Sequence, residues 1–112
     1  MPLVSIGNAH GAYQGEPHLE VSLLKEIRRR VELPLVLHGG SGLSDQQFKT
    51  AIQAGISKVN VATDLLMRAA SQVKETIHAN NESYFDIITA LKEGVREGCE
   101  YYPDLFRASG KV

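Results

Sequence analysis

The sequence predicts an α/β fold built on a parallel sheet, and two observations support this. Three short apolar runs, at residues 3–6, 35–37 and 58–61, are rich in β-branched residues and each end in a polar or glycine-rich loop. Such runs are typical of strands buried on both faces. Helical patterns separate them, and alternating strands and helices form right-handed βαβ units. The predicted order is β-α-β-α-β-α-α.

The first two helices have recognisable ends. Leucine, isoleucine and valine recur at helical spacing over residues 19–31, and Pro34 then stops the helix and starts the next strand. The second helix begins with a capping box, in which Ser44 is the N-cap and Gln47 the third helical residue. Gly55 is suited to end this helix, because glycine readily adopts the left-handed conformation found there.

The last two helices follow the third strand. Thr63 or Asp64 is predicted to cap a helix that runs to about Ala79. A fourth helix is predicted from about Tyr84, and the Tyr-Tyr-Pro sequence at 101–103 is expected to end it. The 112 residues therefore form one domain, or one piece of a domain.

Composition and charge exclude several classes of protein. Apolar residues make up 43% and charged residues 22%, which argues against disorder. The net charge of −1 predicts neither a nucleic-acid surface nor a cationic membrane patch. No apolar run approaches the ~20 residues of a membrane span. Cys99 is the single cysteine, so no intrachain disulfide is possible and a cytoplasmic setting is expected; we interpret Cys99 as a small buried residue.

Two histidines follow predicted strands directly. In parallel α/β folds, functional groups gather at the carboxyl ends of strands. His10 and His38 each occupy such a position and precede a glycine. Neutral imidazole is a good zinc ligand, so the two rings could converge on one ion. The alternative is that each ring bonds a backbone carbonyl at its strand end.

Two loops could bind an anion. Residues 39–42 read Gly-Gly-Ser-Gly, and glycines let backbone N–H groups approach a phosphate, although a tight turn explains them equally well. Thr63 opens a helix directly after a strand, which adds a hydroxyl and free N–H groups. Asn60 either faces this site or satisfies a backbone group. Asp64 is most simply a cap, and its charge would oppose a phosphate if it pointed inward.

Three sequence blocks carry a family resemblance. They are VSIGNAHGAY at residues 4–13, PLVLHGGSGL at 34–43 and KVNVATDL at 58–65. In this order and spacing they resemble the last three strand-end motifs of the class II ketose-bisphosphate aldolases, which act on fructose or tagatose bisphosphate. The resemblance covers nearly the whole chain.

The resemblance implies a fold, a reaction and a set of site residues. Residues 1–112 would be the carboxyl-terminal part of a (β/α)₈ TIM barrel, with three parallel strands (six to eight) and about four helices. The family reaction is reversible, zinc-dependent cleavage of a ketose 1,6-bisphosphate to dihydroxyacetone phosphate and an aldehyde. His10 and His38 would be ligands of Zn²⁺. The residues expected to bind substrate phosphate are Gly11, Gly39, Gly40, Ser41, Asn60, Val61, Ala62 and Thr63.

The chain departs from the family in one large respect. The amino-terminal half of the family, with a third zinc histidine and the catalytic aspartate, has no counterpart here, so we assign no catalytic residue. We expect the chain to be inactive alone. Because an open barrel leaves strand edges unpaired, we expect a homo-oligomer or complementation by another aldolase chain. The alternatives are a non-catalytic phosphate-binding half-barrel and a stabilising subunit of an aldolase.

Overall fold

The computed structural model describes residues 6–7 and 17–111. Two helices and two strands alternate before a final helical pair. In chain order they are α1 (Val21–Arg30), β1 (Leu35–Leu37), α2 (Asp45–Gln53), β2 (Ile56–Val59), α3 (Thr63–His78) and α4 (Tyr84–Leu105). The chain divides into two compact units, Met1–Val61 and Ala62–Val112, called unit 1 and unit 2 below.

Unit 1 contains a parallel strand pair with helices on either side of β1 in the chain. Leu37 pairs with Val59, and a register irregularity lies between Leu35 and Val36. The largest fully buried side chains are Phe48 from α2 and Leu37 from β1. The predicted parallel pairing of these two segments is therefore confirmed, and a packed apolar core supports it.

The strand count differs from the prediction. Two strands, rather than three, lie within the described ranges. Residues 3–5 of the first predicted strand fall outside those ranges, and Ile6 lies in a bend where its carbonyl accepts a hydrogen bond of 2.8 Å from the backbone N–H of Glu20. Two strands do not define a barrel, so the place of this chain in a TIM barrel stays a prediction.

The strand β2 corresponds to the third predicted strand and begins earlier than predicted. It occupies Ile56–Val59 instead of residues 58–61, which places Asn60 just after the strand. Gly55 explains the shift, because its φ of +111° reverses the chain directly after α2 and leaves the next residue free to pair with β1. The predicted role of Gly55 as a helix stop is thus confirmed.

The capping box of α2 is confirmed. The Ser44 hydroxyl accepts from the backbone N–H of Gln47 at 3.3 Å, and the Gln47 side chain accepts from the backbone N–H of Ser44 at 2.8 Å. The Gln47 amide also donates to the carbonyl of Pro17. The cap therefore fixes both the start of α2 and the chain that enters α1.

Unit 2 is an antiparallel pair of helices that pack through small residues. Ala69 of α3 and Gly94 of α4 are buried against each other, and a Cβ added at Gly94 would lie 2.6 Å from the Cα of Ala69. A Cβ added at Gly98 would likewise lie too close to the side chain of Leu65. At Ala69 and Gly94, the two backbones can approach only because the side chains are small or absent.

Three sequence predictions about unit 2 are wrong. Ala62, rather than Thr63 or Asp64, is the N-cap of α3. The fourth helix continues through Pro103 to Leu105, because the buried Tyr102 holds the last turn and its carbonyl accepts from the backbone N–H of Phe106. Cys99 is exposed, since the buried face of α4 is the one that carries the glycines.

Among the described residues, no helix combines the length and the apolar character needed to cross a bilayer.

Candidate functional site

The two parallel strands bring His38 and Asn60 side by side. Leu37 and Val59 are paired, and the backbone N–H of Asn60 donates to the carbonyl of Leu37 at 2.9 Å. His38 and Asn60 are the next residues along each chain. The side-chain amide nitrogen of Asn60 lies 3.2 Å from Nδ1 of His38. The carboxyl ends of both strands therefore present hydrogen-bonded polar side chains at one edge.

The contact with Asn60 fixes the orientation of the His38 ring. An amide carries both a donor and an acceptor, so Asn60 can accompany either tautomer of the imidazole. Both residues are half-buried. Metal-binding histidines commonly have their second ring nitrogen held by a hydrogen-bonding neighbour, which sets the direction of the ligating atom.

The described residues fit one ligand of the predicted zinc set. The imidazole of His38 is the right donor type, and Asn60 orients it. His10 lies outside the described residues, and within the described ranges no three residues of histidine, cysteine, aspartate or glutamate cluster closely enough to hold a metal ion. His18 is exposed and pairs with Glu20 at 3.2 Å.

A tight turn follows His38. Gly39 and Gly42 have φ values of +67° and +92°, a backbone region that side chains with a Cβ rarely adopt. The backbone N–H of Leu43 donates to the carbonyl of Gly40 at 3.2 Å and closes the turn. The tight-turn explanation of this glycine run is confirmed, and phosphate binding by the turn stays a prediction.

Gly40 sits where three elements meet. A Cβ at this position would lie 3.1 Å from the ring of Phe48 and 3.2 Å from the carbonyl oxygen of Asn60. Phe48 belongs to α2 and is 1% exposed. Ser41, the next residue, is buried. The turn, the start of α2 and the end of β2 are therefore held together by one well-packed contact.

Unit 2 contains two of the predicted phosphate residues, Ala62 and Thr63. Thr63 is the first residue of α3, and Ala62 at the N-cap has no side-chain oxygen with which to cap the helix. The carboxylate of Asp64 accepts from Nε of Arg68 at 2.6 Å and from the hydroxyl of Tyr102 at 2.8 Å. Asp64 therefore does not cap the helix, as its position had suggested. It binds side chains of α3 and α4 instead.

The same contacts shift two pKa values. The pKa of Arg68 is raised, chiefly by its hydrogen bond to Asp64. Burial raises the pKa of Tyr102 well above its ordinary value, and the bond to Asp64 adds to this. Arg68 thus stays charged and the Tyr102 hydroxyl stays protonated, so both continue to donate to Asp64 through the physiological range.

The structure brings together part of the predicted site. His38, Gly40 and Asn60 are in contact or close approach in unit 1, with Gly39 and Ser41 in the same turn. The chain then runs without a break from Asn60 through Val61 and Ala62 to Thr63. His10 and Gly11 lie outside the described residues.

The sequence analysis assigned no contact with the candidate residues to three side chains: Phe48, Arg68 and Tyr102. Phe48 is a core residue whose contact with Gly40 only the fold reveals. The spacing of Asp64 and Arg68, four residues apart on a helix, could have indicated their ion pair. Nothing in the sequence links either of them to Tyr102, which lies 38 residues from Asp64.

Several known proteins are similar to this chain in sequence and in fold. The model of the family "Fructose-bisphosphate aldolase class-II" matches residues 3–111. The protein YdjI of Escherichia coli (strain K12) is 40% identical over 109 residues, which cover 97% of this chain and 38% of YdjI. The 6-phospho-5-dehydro-2-deoxy-D-gluconate aldolase of Halalkalibacterium halodurans is 41% identical over 111 residues, with coverages of 96% and 38%.

Solved aldolase structures are also similar to this chain in fold. The crystal structure of the YdjI aldolase superposes with a TM-score of 0.83 at 39% identity, covering 96% of this chain and 39% of that chain. The fructose-bisphosphate aldolase of Campylobacter jejuni shares the fold, with a TM-score of 0.71 at 23% identity and coverages of 96% and 40%. The chain spans about 38% of the length of the curated relatives it matches, in agreement with the predicted carboxyl-terminal portion. It belongs to the class-II fructose-bisphosphate aldolase family.

Proposed function

We propose that this chain supplies the zinc- and phosphate-binding part of a class II aldolase active site. The observation that carries the proposal is the pairing of His38 with Asn60 at the ends of two adjacent parallel strands, beside a glycine turn. Family membership supplies the chemical context. Functional groups of parallel α/β enzymes gather at this edge of the sheet.

His10 and His38 would hold Zn²⁺. A bound zinc ion supplies Lewis-acid chemistry, polarising the ketone oxygen of a sugar phosphate. The amide of Asn60 orients the His38 ring. The family resemblance implies that the main-chain N–H groups of the glycine turn bind the phosphate of the dihydroxyacetone-phosphate half of the substrate, and it assigns the hydroxyl of Thr63 to phosphate binding as well.

The substrate class is a phosphorylated ketose. Fructose and tagatose 1,6-bisphosphate follow from the family resemblance. The relative from Halalkalibacterium halodurans is named for 6-phospho-5-dehydro-2-deoxy-D-gluconate, so a phosphorylated deoxy-sugar acid belongs to the same group of candidates. All of these combine a phosphate with a carbonyl that a metal ion can polarise.

The complete reaction would require a second chain or segment. We infer this from the span of about 38% of the relatives and from the missing counterpart of the family's catalytic aspartate. The large apolar side chains that unit 2 leaves exposed support a partner, either a second copy or another aldolase chain. They are Leu66, Met67 and Ile77 on α3, and Tyr84, Phe85, Ile88, Leu91, Val95 and Tyr101 on α4.

Zinc retention in an assembled enzyme tests the proposal. The chain would be co-expressed with the portion of YdjI that it does not match, and zinc content and ketose-bisphosphate cleavage would be measured. We expect His38→Ala to lower zinc affinity by about 100-fold or more, because a ligand is lost. His78→Ala is the matched control, since His78 is exposed at the end of α3.

Two outcomes would count against the proposal. Equal zinc content in the His38→Ala variant and the unsubstituted chain would remove the metal assignment. Zinc binding and phosphate binding without any cleavage by the assembled pair would favour the alternative of a non-catalytic binding module.

A further inference from the structure

Asp64 raises an electrostatic problem for the proposed phosphate site. It is the second residue of α3, directly after Thr63. The first turn of a helix carries a partial positive charge that favours anions. A carboxylate in that turn competes with a phosphate for the same field, so a negative side chain at this position weakens phosphate binding unless another group compensates its charge.

The structure supplies compensating groups from both helices of unit 2. Arg68, one turn further along α3, donates to Asp64 at 2.6 Å, and Tyr102 of α4 donates to the same carboxylate oxygen at 2.8 Å. Tyr102 is 9% exposed and Asp64 is half-buried, so the hydrogen bond between them is partly shielded from water. The carboxylate is therefore bonded to one cationic and one neutral donor at once.

Aromatic contacts hold Arg68 in place. Its guanidinium carbon lies 4.8 Å from the ring centroid of Tyr101 and 5.9 Å from that of Tyr102. Both distances are within the range of a cation–π interaction. The close approach of the two helices at Gly94 and Gly98 brings these rings to α3. The position of the arginine thus depends on α4 as well as on α3.

We infer that Arg68 and Tyr102 are positioning residues for the proposed phosphate site: they compensate the charge of Asp64, so that the first turn of α3 can accept the phosphate dianion of dihydroxyacetone phosphate. This inference rests on the proposed function. Neither residue needs to touch the ligand. Arg68 acts through its charge and Tyr102 through the hydrogen bond that directs the carboxylate.

The alternative is a purely structural ion pair, and a charge-rescue experiment separates the two. Arg68→Gln removes the cationic partner that Asp64 has on α3, so the affinity for phosphate should fall. Asp64→Asn in the same chain removes the carboxylate charge. If compensation is the role of Arg68, the double variant regains affinity. If the pair only stabilises the fold, a second substitution in the same cluster gives no recovery.

Binding of dihydroxyacetone phosphate to the full chain, measured by titration calorimetry, is the readout. We expect Arg68→Gln to weaken binding about two- to fivefold, the range of a single charge near a helix end. Tyr102→Phe should weaken it by about twofold. The Asp64→Asn, Arg68→Gln double variant should bind within about twofold of the unsubstituted chain. Circular dichroism of each variant verifies that the helices persist.

Two matched controls use residues of the same type in unit 2. Arg96→Gln removes the same charge from α4, where Arg96 pairs with Glu93 and Glu100. Tyr84→Phe removes a hydroxyl from an exposed tyrosine. Neither control should change the affinity for dihydroxyacetone phosphate.

The outcomes distinguish this inference from the proposed function. If the unsubstituted chain binds dihydroxyacetone phosphate and Thr63→Val weakens binding, the phosphate site stands. An unchanged affinity in Arg68→Gln, or a double variant as weak as Arg68→Gln, then overturns the role of Arg68 alone. If the unsubstituted chain does not bind the ligand at all, both the phosphate site and this inference fail.

Discussion

The two units of this chain reach stability by different physical means. Unit 1 buries large apolar side chains, above all Phe48 of α2 and Leu37 of β1. The Phe48 ring packs against the glycine turn. Unit 2 buries small residues between two helices together with Tyr102, while many of its other large apolar side chains are exposed. Ion pairs occur in both units, and unit 2 contains the cation–π contacts of Arg68 with Tyr101 and Tyr102.

The difference shows where each unit tolerates change. In unit 1 the packed core directly supports the proposed site, because Phe48 contacts the turn that follows His38. In unit 2 the requirement is close approach of two backbones, so volume added between the helices is more harmful than volume removed from their outer faces. Paired substitutions test this distinction.

The largest expected effect follows from removing the aromatic core of unit 1. Phe48→Ala should lower the free energy of unfolding by about 4 kcal/mol, because it empties a fully enclosed ring position. Phe85→Ala is the matched control in unit 2, where the ring is 77% exposed. We expect about 0.5 kcal/mol or less there. Urea denaturation followed by circular dichroism measures both; equal losses would contradict the comparison.

An intermediate effect distinguishes two glycines of unit 2. Gly94→Ala should destabilise the protein by about 2 kcal/mol, because the new methyl group meets the backbone of Ala69, which cannot rotate away. Gly98→Ala meets the end of the Leu65 side chain, which can change rotamer.

Both substitutions gain about 1 kcal/mol of helix propensity, but at Gly98 no clash with backbone atoms offsets the gain. We therefore expect Gly98→Ala to be close to neutral. Thermal unfolding of the two variants side by side tests this, and a more harmful Gly98→Ala would show that the helices approach most closely at a different level.

The smallest effect is the pH dependence of the Glu93–Arg96 ion pair. The hydrogen bond that Arg96 donates to Glu93 lowers the pKa of the Glu93 carboxyl below the ordinary value of 4.5. The pair therefore stabilises the folded state above about pH 4.5 and loses this contribution as the pH falls through the lower pKa of the folded protein.

Melting temperatures of the unsubstituted chain and Glu93→Gln test the prediction. The variant should melt slightly lower at pH 7, and the gap should shrink as the pH falls through the lowered pKa of Glu93 in the folded protein. A gap that does not shrink with falling pH would show that the carboxylate charge is not its cause.

Helix content was predictable because its signals are local. The capping box at Ser44, the stop at Gly55 and the break between α3 and α4 all depend on residues within one turn of each other. The predicted extent of α4 was wrong because Pro103 is a strong local signal that tertiary packing of Tyr102 overrides. The strand at Ile56–Val59 was shifted for a related reason, since pairing with β1 decides its limits.

The candidate site was predictable in part. His38, the glycine turn and Asn60 were identified because parallel strands place polar residues at their carboxyl ends, a rule that the sequence pattern alone can invoke. The contact between His38 and Asn60 was not predictable in detail, since it depends on the register in which Leu37 pairs with Val59. The assignments of His10 and Gly11 stay predictions.

The order of the helices and strands, and the positions of the chemically capable residues, were determined by the sequence itself, through helical periodicity, β-branched runs and turn-forming glycines. Tertiary structure decided which side chains meet. Asp64 looks like a helix cap in the sequence, yet it bonds Arg68 and Tyr102, because a close helix–helix contact through Ala69 and Gly94 brings a residue 38 positions away within hydrogen-bonding distance. At Asp64 the local preference for a cap is weaker than the partly buried, charge-assisted contact that helix packing creates.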